Sequence, residues 1–329
     1  MKNRLNIIAE ISQGFEGNYE QSKLLIKAAA KAGADAVKFQ LVYADELATA
    51  DYQYYGLFKG LEMEDEKWKS LKKYAYSLGI ELIVDVFGEK SLALAVNIGI
   101  DTVKVHGTDV TNLGLLEAIS SSSIKKVILG IGGAYWSEIE KALEVLKSNQ
   151  LVLLCGFQGY STKTEENHIN RMNIIREKAK DIHANFQMGF ADHPEEEIFA
   201  STVCLVAIGA GAEIIEKHLT LGKVMEMEDF ESALNPDEFQ AFTKQLKAGQ
   251  QAMGNFIDEE DFGMSESEKT YRKNVRRDVV AKKEITQGET LNTQNISLKR
   301  TAKTNTIKHL ELVLGKKAKK LIRKDQPVL

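Results

Sequence analysis

The fold of this 329-residue chain turns on residues 184–218, ANFQMGFADHPEEEIFASTVCLVAIGAGAEIIEKH. Its first run, 184–190, is apolar enough to read as a strand, and 212–218 reads the same way. Between them Pro194 and three glutamates mark a helix start. Proline fits the first turn, and acids suit the positive end of the helix dipole. Small, glycine-containing residues then mark its stop. Strand, helix and strand in this order make a βαβ unit, which implies a parallel sheet. One histidine stands near the end of each strand, His193 and His218, in a chain with only 6.

The same alternation runs from residue 5 to about 253. The other strand candidates are 6–11, 35–40, 81–87, 101–107, 125–133 and 151–157. Helical spacing lies between them, as in NYEQSKLLIKAAAKAGA and EKWKSLKKYAYSLGI. Eight such units over ~250 residues predict a parallel (β/α)8 barrel, α/β in class. An open doubly wound sheet would carry a glycine-rich first turn, and EISQGFEGN has no GxGxxG. GIGGAYW, at 130–136, has Tyr135 where the third glycine belongs. Residues 1–255 therefore read as the barrel, the polar stretch 256–271 as a linker and 272–329 as a small β-rich domain.

Charge divides along the same line. Residues 269–329 hold 17 Lys and Arg against 5 Asp and Glu, a net of +12, while the remainder holds 26 against 42, a net of −16. With Tyr271 its lone Phe, Tyr or Trp, the basic segment reads as a module seated on an acidic surface, not as a nucleic-acid binder. Two cysteines without a CxxC fit a reducing cytoplasm. No run approaches the ~20 apolar residues of a membrane span, and the N-terminal apolar run is too short for a signal peptide. The expectation is a cytoplasmic protein with neither nucleic-acid nor membrane partner.

In a (β/α)8 barrel the chemistry collects at the C-terminal ends of the strands. Those ends offer Glu10; Lys38 and Gln40; Asp85; Lys104, His106 and Asp109; Gln158 and Tyr160; Asp192 and His193; and His218. Two imidazoles on neighbouring strands can hold a divalent metal with open positions for water and substrate, and oxygen co-ligands would suit Mn²⁺ or Mg²⁺. Alternation aims Lys38 and Lys104 toward the mouth, where they suit an anionic substrate. Either could instead form a structural ion pair with Glu10 or Asp85, or a Schiff base. His168, His183 and His309 fall on helices or loops and are expected to be solvated.

The segments IAEISQGFEG, AAAKAGADAVKFQ and FADHPEEEIFASTVCLVAIGAGAEIIEKHLTL resemble the sialic acid synthase family, and VVAKKEITQGETLNTQNISLKR with LGKKAKKLIRKDQPVL resembles its C-terminal SAF (antifreeze-like) domain. The resemblance implies a transferase that condenses phosphoenolpyruvate with an N-acylated amino sugar to give a nonulosonic acid and phosphate. It also implies a domain-swapped homodimer. On the matching positions it makes His193 and His218 the Mn²⁺ (or Mg²⁺) ligands and Glu10 a catalytic carboxylate. Lys38, Gln40, Lys104, Lys125, Gln158, Tyr160, Asp229 and Arg300 become substrate contacts, Arg300 reaching the partner's sugar site. The chain departs from the family pattern at Gly14, Phe15, Asp85, His106 and Ala191, which bears on the acceptor more than on the reaction. A non-catalytic sugar or sugar-phosphate binder on the same scaffold, or a different barrel aldolase or lyase, are the alternatives.

Overall fold

The computed structural model describes residues 4–156, 161–194, 199–254, 260–303 and 306–328. The chain divides into two compact units, Met1–Gly254 and Asn255–Leu329.

In the first unit eight parallel strands follow one another around a closed barrel: β1 (Asn6–Ser12), β2 (Ala36–Gln40), β3 (Glu81–Asp85), β4 (Thr102–Val105), β5 (Lys126–Gly130), β6 (Gln150–Cys155), β7 (Phe186–Asp192) and β8 (Ile214–Leu219). Each pairs with the next, and β1 pairs with β8 to close the ring. A short β9 (Ala233–Leu234) adds to β8. The expected (β/α)8 barrel is therefore the fold, with strand bounds within a few residues of those read from the sequence.

Helices wrap the outside: α1 (Tyr19–Lys31), α2 (Ala44–Leu47), α3 (Tyr55–Leu61), α4 (Asp65–Ser77), α5 (Glu89–Asn97), α6 (Leu113–Ser120), α7 (Trp136–Val145), α8 (Arg171–Lys180), α9 (Ala200–Gly209) and α10 (Pro236–Ala252). Local chemistry sets several of their ends. The Asn18 side chain accepts the Gln21 N–H at the start of α1, and α10 begins with Pro236 inside an Asn235–Glu238 capping box. The α2–α3 segment between β2 and α4 is an addition the strand–helix alternation did not reveal.

Two apolar layers hold this unit together. Outside the strands, helix and strand faces meet in one large core, which includes an edge-to-face aromatic trio of Phe15, Phe39 and Trp68 with ring centroids 5.5–6.0 Å apart. Phe15 is thus a packing residue and not part of a substrate lining. Inside the barrel, Ile8, Ala36, Ile83, Ile128, Val152, Leu154, Ala191 and Ile214 form a second apolar cluster.

The second unit opens with helix α11 (Glu266–Val275), so the stretch read as linker carries a helix that runs past it. Strands β10 (Asp278–Ala281) and β11 (Ile296–Lys299) pair antiparallel. Bridges Val280–Pro327, Ile285–Ile322 and Thr290–Lys317 tie the later segments to them. Its own core gathers Val279, Ile285, Leu291, Ile296, Val313 and Ile322. Among the described residues no helix is long and apolar enough to cross a membrane.

One backbone contact controls how the β6 end meets β7. Gly156 has φ +119°, and a Cβ there would stand 2.1 Å from the Ala191 carbonyl oxygen. Gly156→Ala should therefore cost about 2 kcal/mol or more of stability. Urea unfolding checks this; a wild-type midpoint would contradict the close approach.

Candidate functional site

Strand alternation sorts the residues of the barrel. Glu216 and His218 of β8 face the interior, as do Ala191 and His193 at the end of β7, and all four line one cavity. Lys217 and Asp192 point the opposite way and form a buried ion pair at 2.9 Å. Asp192 is therefore not a mouth residue, contrary to the sequence expectation. Burial pushes its carboxyl up, and Lys217 opposes that.

Register brings the interior charges together. Glu10 lies level with Lys38 on one side and His218 on the other, and Asp85 lies level with Gln40 and Lys104. The result is a buried network of two lysines and three carboxylates. Lys38, 0% exposed, contacts Glu10 directly, sits 2.7 Å from Asp85 Oδ1 and 3.7 Å from Glu216 Oε2. Lys104 Nζ lies 2.8 Å from Glu216 Oε1, 3.7 Å from Glu10 Oε2 and 3.8 Å from Asp85 Oδ2. Glu10 Oε1 also accepts the Ser12 N–H at 2.7 Å.

Burying five charges is tolerable only if they nearly cancel. Two positive and three negative groups leave one negative charge in excess, and one proton removes it. Glu10 takes that proton: burial and the neighbouring Glu216 and Asp85 push its carboxyl up to about 8, against the pull of Lys38. For Glu216, burial alone would raise the carboxyl, but Lys104 and Lys38 outweigh it and hold it below the usual range. Lys38 is disfavoured as a cation by burial, yet Asp85, Glu10 and Glu216 hold it charged.

Above this floor opens a cavity of about 520 Å³. Glu10, Gln40, Lys104, His106, His193, Glu216, His218 and Asp229 line it, and Leu47, Phe58 and Phe87 supply an apolar wall. His193 Nε2 and His218 Nε2 stand 3.1 Å apart. Burial holds both rings neutral: His218 is lowered to about 4 despite the nearby Asp229 and Glu216, and His193 lies well below its ordinary value. Neutral imidazoles with converging nitrogens are the donor chemistry a divalent transition ion takes. Two bonds of about 2.0–2.1 Å would reach across this gap. Among the described residues no cluster of three or more His, Cys, Asp or Glu is arranged to hold a metal.

Other expected residues fall differently. Gln40 accepts from Gln13 at 2.9 Å, and Asp229 lies 3.4 Å from the Gln13 N–H. Lys125 precedes β5 at the N-terminal end of the barrel, the end opposite the cavity, where it is exposed and pairs with Asp101 at 2.5 Å. Its reading as a substrate contact is wrong, because a residue at a strand start cannot reach the mouth. Gln158 and Tyr160 lie outside the described residues. Arg300 belongs to the second unit, where its Nε donates to the Val275 carbonyl. His183 is buried, not solvated: Nδ1 accepts the Asn185 N–H and Nε2 lies 3.2 Å from the Leu146 carbonyl. Sequence reasoning passed over Glu216 as a site residue. Its signal was present, because it stands two positions before His218 and so shares its face.

The family model described as NeuB family matches residues 25–258, and the one described as SAF domain matches residues 276–329. An uncharacterised protein of Methanocaldococcus jannaschii is 32% identical over 95% of this chain and 90% of its own length. The N,N'-diacetyllegionaminic acid synthase of Campylobacter jejuni is 31% identical, covering 97% of each chain. Among solved structures, an N-acetylneuraminic acid (sialic acid) synthetase of Leptospira borgpetersenii, crystallised with citrate, matches with a TM-score of 0.74 and 27% identity, over 84% of this chain and 93% of its own.

The neutral histidines make stability depend on pH. Unfolded imidazoles protonate near 6.5, whereas His218 in the fold protonates at about 4. The unfolded chain therefore binds more protons in that window, and stability falls as pH falls through it, by up to about 1.4 kcal/mol per unit per histidine. In metal-free buffer, His218→Asn should remove roughly 1 kcal/mol per unit of this dependence between pH 6 and 5. Parallel wild-type and variant curves from urea unfolding would contradict the buried neutral ring.

Proposed function

The chain belongs to the NeuB family, and on that premise we propose that it is a synthase joining phosphoenolpyruvate to an open-chain N-acylated amino sugar, with a nonulosonic acid and phosphate as products. The observation that carries the reading is the meeting, in one cavity, of a converging histidine pair and a lysine–carboxylate floor. The relatives bearing the names of legionaminic, pseudaminic and sialic acid synthases support it.

In this reading C3 of the enol bonds to the aldehyde carbon of the acceptor. Water adds at C2, and the C2 hydroxyl passes its proton to the departing phosphate as the C2–O bond to phosphate breaks, so that a 2-keto group remains. Lys104 meets the anionic groups of phosphoenolpyruvate at the cavity surface, and Lys38 adds positive charge from beneath. Glu10, protonated below about pH 8, gives its proton to the former aldehyde oxygen and recovers one from the attacking water. Gln40 and Asp229 orient acceptor hydroxyls. His193 and His218 would hold Mn²⁺ or Mg²⁺, which when bound supplies Lewis acidity toward the aldehyde oxygen. Residues 1–255 carry this chemistry. Arg300, in the 272–329 domain, is an acceptor contact delivered within a homodimer.

Release of phosphate and a 2-keto acid from phosphoenolpyruvate, Mn²⁺ and a panel of N-acylated amino sugars tests the proposal. Turnover is expected with at least one acceptor, and His193→Ala should lower it by about 100-fold or more. EDTA should abolish it and Mn²⁺ should restore it. Full activity in His193→Ala would contradict the assignment, and sugar binding without phosphate release from any acceptor would point to a binding protein.

A further inference from the structure

The α2–α3 segment between β2 and α4 brings two side chains to the cavity that the chemistry above does not use. Leu47, at the end of α2, and Phe58, within α3, are half-buried and line the cavity together with Phe87. Phe87 follows β3 two positions after Asp85 and so faces the interior with it. In the closed ring of parallel strands β3 lies opposite β7, which places this apolar wall across the mouth from His193.

Hydrogen bonds hold the wall in place before any ligand arrives. Glu46, next to Leu47, accepts the backbone N–H groups of Lys90 and Ser91 in the first turn of α5, the second at 3.0 Å. Glu62 Oε1 accepts the Ala44 N–H at 3.0 Å, and the Tyr43 hydroxyl donates to Asp65 at 3.2 Å, which ties α2 to the start of α4. Phe58 is backed by Tyr52, whose ring lies 19° from parallel with centroids 6.1 Å apart. A preformed surface of this kind costs little ordering when a ligand binds.

Chemistry decides what the wall takes. The phosphate and carboxylate of phosphoenolpyruvate belong with Lys104. A sugar hydroxyl turned toward leucine and phenylalanine would give up its water without gaining a partner. The part of an N-acylated amino sugar that carries neither hydroxyl nor charge is the alkyl end of its acyl group, and burying that group here is favourable.

We propose that Leu47, Phe58 and Phe87 form the subsite for the acyl group of the acceptor and determine which acyl group is accepted. The inference rests on the reading of this cavity as a nonulosonate synthase site and adds to it the selection among acceptors. With the aldehyde directed to the histidine side, the acyl group lies on the opposite side of the mouth.

Phosphate release by the full-length protein, with phosphoenolpyruvate and Mn²⁺, is measured for the N-formyl, N-acetyl and N-butanoyl forms of the amino sugar that gives turnover in the acceptor panel. Wild type should prefer N-acetyl over N-formyl about fourfold in kcat/KM, the worth of one buried methyl group. Phe58→Ala should bring that ratio to within about twofold of unity and raise the acceptor KM, while the KM for phosphoenolpyruvate stays within about twofold of wild type. Leu47→Ala makes room at the wall and should raise kcat/KM for N-butanoyl relative to N-acetyl by about tenfold, a gain that a damaged fold does not produce. Wild-type acyl ratios in both variants, or a wild type that does not distinguish the three acyl groups, overturn the inference while leaving the synthase reading intact. Equal rises in KM for acceptor and phosphoenolpyruvate in Phe58→Ala, with acyl ratios unchanged, overturn it in favour of a wall that only shapes the cavity. A wild-type protein that turns over no acceptor overturns the underlying reading and this subsite with it.

Discussion

Five ionisable groups packed inside the barrel constrain everything above them. Lys38 and Lys104 reach in from β2 and β4, and Glu10, Asp85 and Glu216 from β1, β3 and β8. Removing one of the charged members, Lys38, Lys104, Asp85 or Glu216, would strand an uncompensated charge, a loss of about 3–5 kcal/mol in comparable buried pairs. The network can persist only near neutrality, which is why one carboxyl keeps a proton that an exposed glutamate would lose. In the proposed reaction structural necessity and chemical usefulness coincide: the group that neutralises the floor is also the one proposed to give a proton. The network further fixes β8, because Glu216, held by Lys104, leaves His218 two residues further on facing its counterpart across the β7–β8 step.

Strand alternation divides labour with little ambiguity. On β8 the sequence Glu216-Lys217-His218 sends its outer members to the cavity and its middle member to a buried pair with Asp192 behind the strands. The same rule sends Ala191 and His193 inward while Asp192 anchors the β7–β8 contact from outside. Two charged systems thus sit on opposite faces of the same two strands. One braces the strands and the other faces the ligand space.

The barrel was legible because eight apolar runs and their intervening helices repeat one pattern. His193, His218, Lys38, Lys104, Glu10 and Gln40 could be found because strand C-termini and alternation point to them, whereas Asp229 came only from the family resemblance. The failures have physical causes. Lys125 was assigned through a motif match, although its place before β5 puts it at the wrong end of the barrel. Asp192 was placed at the mouth because it neighbours His193, although adjacency in a strand means opposite faces. His183 looked solvated because its position on a helix end hides the Leu146 carbonyl it packs against, which is distant in sequence. Phe15, a departure from the family pattern, proved to be an aromatic packing residue. The α2–α3 segment, which contributes Leu47 and Phe58 to the cavity, carries too short a periodic pattern to have been recognised.

The account depends on two neutral imidazoles sharing one ion above the charged floor. Anomalous diffraction at the manganese edge, from crystals grown with Mn²⁺, tests this most directly. The account requires a single anomalous peak within bonding distance, about 2.0–2.2 Å, of both His193 Nε2 and His218 Nε2. A cavity with no peak, or an ion bound elsewhere while the two rings stay in contact with each other, would contradict it.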